Sequence, residues 1–153
     1  MRAISTTIAP RVKEVLPDTK FIIAGLGRVE SSDNIDLIGY VDDINNILLG
    51  VDCAICPLET GSGTRIKILD YLSHGVPTIS TSKGVEGLEQ EISKAVCIQD
   101  DFNDFAQDII RILQMSPAEK NVLSQAGIDF VWQHRCWTHL INSYISRLEE
   151  LVW

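Results

Sequence analysis

The chain has 153 residues, 45% of them apolar, and sets 21 acidic against 13 basic residues for a formal net charge of −8. That length fits one compact domain with a sizeable core, and the acidic balance excludes nucleic acid as a main partner, because phosphate binding needs gathered cations. No apolar run approaches the ~18 residues of a spanning helix, and "MRAISTTIAPRVKE" lacks the continuous apolar stretch of a secretory signal, so no transmembrane segment and a cytoplasmic location are expected.

From about Ala3 to Leu16, the residues Ile4, Ile8, Val12 and Leu16 recur every four positions, predicting an amphipathic helix kinked or restarted at Pro10. Phe21 to Ala24 is a short, fully apolar run closed by Gly25 and Gly27, the pattern of a buried parallel strand. "NIDLIGY" reads as a second strand, "VDDINNILLGV" as a short helix opened by Asp42 or Asp43, and "DCAICPL" as a third strand. A helix is expected from about Thr64 to His74, stopped by Gly75, then a fourth strand in "VPTIST" and a weak fifth around Ala95 to Ile98. The remainder is helical, with Pro117 in the first turn of one helix. A late stripe of Trp132, Trp137, Leu140, Tyr144 and Leu148 suits core packing, or docking of a neighbour such as the second chain of a homodimer.

Strands alternating with helices predict an α/β fold: a Rossmann-like parallel sheet of about five strands with helices on both faces. Ligands of such sheets sit outside the carboxyl ends of the strands, which directs attention to "GLGRVESSD", "GYVDD", "PLETGSGT" and "STSKGVEG". A doubly wound domain normally opens on a strand, whereas this chain opens on a helix. The first strand of the domain is therefore expected to be missing and the chain to be a fragment; the alternative is a native helical start with the strands pairing directly.

The stretch "GSGTRIKILDYLSHG", residues 61 to 75, sets two glycines and two hydroxyls at a helix start. Unpaired first-turn amides and the macrodipole favour an anion there; Gly61 and Gly63 permit close approach, and Ser62 and Thr64 can cap or donate. Thr64, Lys67, Asp70 or Tyr71, and His74 fall on one polar stripe, which is either a solvent face or a ligand face. Lys67 shares a side with Thr64 and Asp70 and is a better phosphate contact than Arg65, two positions away from it. "AGLGRVE" has Glu30 where a dinucleotide fingerprint needs its third glycine, and no P-loop pattern is present. Cys53 and Cys56 form a C-x-x-C, but within a strand residues three apart face opposite sides. All four cysteines are expected to be reduced, and with His74, His134 and His139 far apart no metal site is expected.

The stretch "CAICPLETGSGTRIKILDYLSHGVPTISTSKGVEGL" resembles the nucleotide-sugar-binding, C-terminal half of retaining group 1 glycosyltransferases of the GT-B fold. "RVKEVLPDTKFIIAGLG", "LIGYVDDINNILLGVDCAICPL" and "IDFVWQHRCW" are similar to its flanking segments, so the resemblance covers almost the whole chain and implies that residues 1 to 153 form that half. It implies a nucleotide-diphosphate sugar as donor substrate, no metal cofactor, and an N-terminal acceptor-binding domain as partner, which could also carry peripheral membrane attachment. By position, Gly63 and Thr64 fall on the diphosphate and Asp70 on the ribose carboxylate, where the family usually has Glu. The family's other Glu falls at Ser62, with Glu59 nearby in the same loop and able to reach inward. Tyr40 and Val41 match the loop that packs the nucleobase, or else serve ordinary strand-to-helix packing. Glu86 and Gly87 match a turn facing the same cleft. The resemblance implies sugar transfer with retention of configuration, the isolated chain being inactive; alternatives are a degenerate interaction domain and a nucleotide-sugar epimerase of the same fold.

Overall fold

The computed structural model describes residues 2–25, 33–61, 65–88 and 90–151. Its first helical segment neither breaks nor restarts at Pro10. It winds as a π-helix over Ile4–Ile8 and continues as α1 over Ala9–Val15. Proline has no N–H to give and its ring crowds the carbonyl four residues back. The backbone widens just ahead of it, so that the Ala9 N–H bonds the Ile4 carbonyl five residues back. The apolar stripe survives the widening: Ile4, Ile8 and Val12 are all buried.

All five predicted strands form, but they make two parallel sheets instead of one. In the first, β1 (Phe21–Ala24) pairs with β2 (Ile35–Gly39), Phe21 opposite Ile35, with a register shift between Ile23 and Ala24. The second has the order β3 (Ala54–Cys56), β4 (Thr78–Ser80), β5 (Val96–Ile98). Every residue of β4 is buried, as befits a central strand covered on both faces. Short helices α2 (Asn45–Leu48) and α4 (Ser82–Val85) and a 3₁₀ turn at Gln90–Lys94 lie between strands, together with α3 (Ile66–Ser73). Three longer helices close the chain: α5 (Phe102–Gln114), α6 (Pro117–His134) and α7 (Trp137–Leu151). Asp43 opens α2 as expected, its carboxylate accepting from the Asn45 N–H at 3.0 Å.

Alternation of side chains along the strands feeds two apolar layers. One gathers Ile8 and Val12 with Phe105 and Ile109 of α5 against Phe21, Ile35 and Ile79. The other gathers Ile68 and Leu72 of α3 with Phe130 of α6 against Cys56 and Val96. Cys53 packs on the first layer and Cys56 in the second, so the C-x-x-C is split across the sheet as its strand placement requires; neither cysteine, nor Cys97 or Cys136, is in a disulfide. Burial pushes the Cys53 thiol up to about 12, with further contributions from Cys97 and Asp52.

The helix starts are written into the sequence. Asp101 caps α5 by accepting from the Asn103 and Asp104 amides; Ser116 and Glu119 form a reciprocal capping box on α6 with Pro117 in its first turn. The late aromatic stripe differs from the core reading. Trp132 is 67% and Tyr144 65% exposed, and Leu148 is exposed too, while the side chains of Trp137 and Leu140 lie outside the description. Among the described residues no helix is long and apolar enough to cross a membrane.

Candidate functional site

The loop from β3 to α3 leaves the carboxyl end of the second sheet. Gly61 sits at φ +140°, a conformation that disfavours any side chain, and packs over Leu58. Ser62, Gly63 and Thr64 lie outside the described residues. Two residues into α3, Lys67 is exposed, and Asp70 one turn further on is half-buried. Both line a cavity that opens between β1 and β3, together with Pro57, Leu58 and Tyr71. The polar stripe therefore does face a cavity over Lys67 and Asp70. At its far end His74 bonds through Nδ1 to the Asp70 carbonyl at 2.8 Å, which requires the Nδ1–H tautomer, since a carbonyl only accepts. Gly75, at φ +66°, ends the helix in a Schellman motif: Val76 N–H reaches the Tyr71 carbonyl and Gly75 N–H the Leu72 carbonyl. Burial first, then Cys56 and Asp70, push the Tyr71 phenol up to about 12, so it stays a neutral donor beside Asp70.

Arg65, which the sequence ranks below Lys67 as a phosphate contact, pairs with a carboxylate instead. Its side chain is only 8% exposed, and Nη2 donates to Glu86 Oε2 at 3.1 Å. Lys83 Nζ reaches the same oxygen at 2.7 Å. Glu86 thus braces the turn before α3 against the end of α4, tying together the two loops that leave β3 and β4. Lys83, its side chain half-buried, is the outer cation of this clamp.

Thr81 makes a second tie, which sequence reasoning missed. Its hydroxyl donates to the Leu58 carbonyl at 2.6 Å and accepts from the Gly84 N–H at 3.1 Å, capping α4. Thr81 is buried, and the Gly84 N–H also reaches its carbonyl at 2.9 Å. The signal was a threonine directly after a strand and three residues ahead of a glycine, the spacing of a helix cap. Thr81→Val keeps the shape and removes both bonds. It is expected to cost about 1–3 kcal/mol in urea unfolding and to increase amide exchange over residues 58–61.

The remaining sequence candidates stand apart. Tyr40, 77% exposed, and Val41 follow the carboxyl end of β2 and do not line the cavity. Glu59 is exposed in the β3–α3 loop, also outside the cavity wall. Among the described residues, no group of three or more His, Cys, Asp or Glu side chains is placed to hold a metal ion.

Glu86 belongs to a set of carboxyls held below the ordinary range: Glu86 by Lys83 and then Arg65, Asp101 by the Asp104 and Asn103 amides, Glu119 by Ser116. Each binds its proton less readily folded than unfolded. Its contribution to stability is therefore complete above the ordinary carboxylate range and disappears as pH falls through the lowered folded value. Urea midpoints are expected to decline progressively below about pH 4, and Glu86→Gln is expected to flatten part of that decline.

Parallel strands flanked by helices, with polar loops at their carboxyl ends, define an α/β domain of the Rossmann-like kind. The chain belongs to the group 1 glycosyl transferases, whose family model matches residues 2–115. Its structure is similar to that of a sucrose-phosphate synthase from Thermosynechococcus elongatus, with a TM-score of 0.63 at 14% identity. That match covers 100% of this chain and 52% of the other, so the chain spans about half the length of its structural relative. No curated protein sequence matches it significantly.

Proposed function

We propose that this chain is the donor-binding half of a retaining glycosyltransferase, acting with an N-terminal domain that holds the acceptor. Membership of the group 1 family supports the transferase kind. The observation that carries the site is the placement of Lys67 and Asp70 on one side of α3, at the mouth of a cavity beside the carboxyl end of β3. The amides of residues 61–64 and the Lys67 ammonium would take the diphosphate. Negative charge grows there as the sugar leaves, and fixed donors stabilise it without reorganising. Asp70 would accept from the ribose hydroxyls. Being one methylene shorter than Glu, it asks the ribose to sit closer to α3. Glu59 and Ser62 would lie nearest the sugar, and Tyr40 and Val41 nearest the base. Arg65, Glu86 and Thr81 act as positioning residues that hold the two loops in place. In this reading the isolated chain binds donor but does not turn it over.

Titration calorimetry with UDP, GDP and ADP sugars tests this. One base class is expected to bind, and Asp70→Ala to weaken it by about tenfold or more, the scale of a hydrogen bond to a charged group, with the circular dichroism unchanged. Absence of heat with every donor on a folded chain, or an Asp70→Ala affinity equal to that of the parent, would remove the site.

A further inference from the structure

Arg65 and Glu86 hold two loops together in the free chain, yet the contact between them is unfinished. Nε and Nη2 lie along one edge of a guanidinium and offer two parallel N–H groups, the fork that matches two oxygens of one carboxylate or phosphate. Glu86 fills half of that fork. Nη2 donates to its Oε2 at 3.1 Å, while Nε is buried and has no hydrogen-bond partner among the described residues. Lys83 Nζ takes the same oxygen at 2.7 Å, so both cations reach the carboxylate through Oε2. A buried N–H without an acceptor is costly, and two cations against one carboxylate leave the cluster positive. The partners also differ in how firmly they are held: the side chain of Arg65 is 8% exposed and that of Glu86 56%. Glu86 can therefore swing into water without opening a cavity, and Arg65 cannot follow it. Arg65 is also the residue immediately before α3, an eight-residue helix that starts without a side-chain cap, so unpaired first-turn amides begin at the residue that carries the guanidinium.

We propose that Glu86 is a resident counter-ion standing where a phosphate binds: an incoming diphosphate displaces it and takes over the Nε–Nη2 edge of Arg65 together with the Lys83 ammonium. The inference rests on the donor-site reading above, in which the diphosphate meets the start of α3, and it adds Arg65 and Lys83 to the groups that hold it. A phosphate group is better shaped for the place than the carboxylate. Two of its oxygens can lie on the fork while a third faces Lys83, so the orphaned Nε–H gains an acceptor and neither cation loses one. Glu86 leaves for water, where a carboxylate is fully solvated. The exchange keeps the guanidinium paired at every stage, which a buried cation requires, and makes donor binding a competition between two anions for the same pair of cations.

Inorganic pyrophosphate, which carries the phosphates without base or sugar, is the probe. In titration calorimetry of the full chain at constant ionic strength, Glu86→Gln is expected to bind it about tenfold more tightly than the parent, the scale of one hydrogen bond to a charged group. Arg65→Lys keeps the charge but loses the fork, and is expected to bind at least about tenfold more weakly. Glu91→Gln removes the same charge from an exposed position on the 3₁₀ turn and should leave the affinity unchanged. In the unaltered chain the Arg65 Nε–H resonance should move downfield on titration and exchange more slowly with solvent, a change that a guanidinium serving only as a brace would not show. Equal or weaker binding by Glu86→Gln, an equal gain from Glu91→Gln, or an Nε–H signal indifferent to pyrophosphate would each overturn the proposal. Sugar nucleotides separate it from the reading it rests on. A donor that binds and responds to Asp70→Ala but not to Glu86→Gln removes the exchange alone; pyrophosphate that follows the expected series while no donor binds removes the donor reading alone.

Discussion

Phe105→Ala is expected to lower the unfolding free energy by about 3–5 kcal/mol, the range for removing a large aromatic from a closed core. Phe105 is fully buried, meets Phe102 edge-on with centroids 6.4 Å apart, and lies in the layer shared by both sheets. That layer is what joins them: Phe21 and Ile35 come from the first sheet and Ile79 from the second, and no backbone bond links β1 to β3. Truncation opens a cavity in the layer that holds residues of both sheets, so the loss should exceed that of an equally buried residue in a layer on one sheet only. Leu72→Ala, buried in the layer that α3 and α6 place on the second sheet, is the comparison. A urea midpoint shift no larger for Phe105→Ala than for Leu72→Ala would show that the sheets are not held together through α5.

Much of the scaffold could be read from local chemistry. Short apolar runs bounded by glycine or proline marked the first four strands, a weaker apolar run around Ala95 to Ile98 the fifth, and Pro117 the first turn of α6. The gap between β1 and β3 could not be read that way, because periodicity reports that a strand exists and not which edge it leaves unpaired. At the site, three-residue spacing correctly put Lys67 and Asp70 on one side of α3. The pairing of Arg65 could not be read from sequence, because its partner Glu86 lies 21 residues away and burial of a guanidinium is decided by tertiary contacts that spacing does not encode. Thr81 was passed over for the same reason: its bond to the Leu58 carbonyl joins two loops that only the parallel order of β3 and β4 makes neighbours.

Those two ties converge on α4, and Gly84→Ala is expected to break them at a cost of about 3 kcal/mol or more, the upper end of overpacking effects. A methyl at Gly84 would collide with Ser80 Oγ and stand 3.0 Å from the Cys56 carbonyl and 3.2 Å from its sulfur. None of these atoms can retreat easily. Ser80 is fully buried, its hydroxyl within bonding distance of the Cys56 and Thr81 carbonyls at 3.3 and 3.0 Å, and the Cys56 carbonyl belongs to β3 itself. The helix must lift instead. Lifting pulls the Gly84 N–H from the Thr81 hydroxyl and Glu86 from Arg65, which leaves a buried guanidinium without its carboxylate. Because both loops at the carboxyl ends of β3 and β4 lose their anchor, donor affinity should fall along with stability, even though Gly84 itself touches no proposed ligand contact. Ser80→Ala removes the nearest obstacle, so adding it to Gly84→Ala should recover part of the loss and give a favourable coupling of about 1 kcal/mol or more in a double-mutant cycle. Strict additivity of the two substitutions would mean that α4 does not rest on β4 at this point.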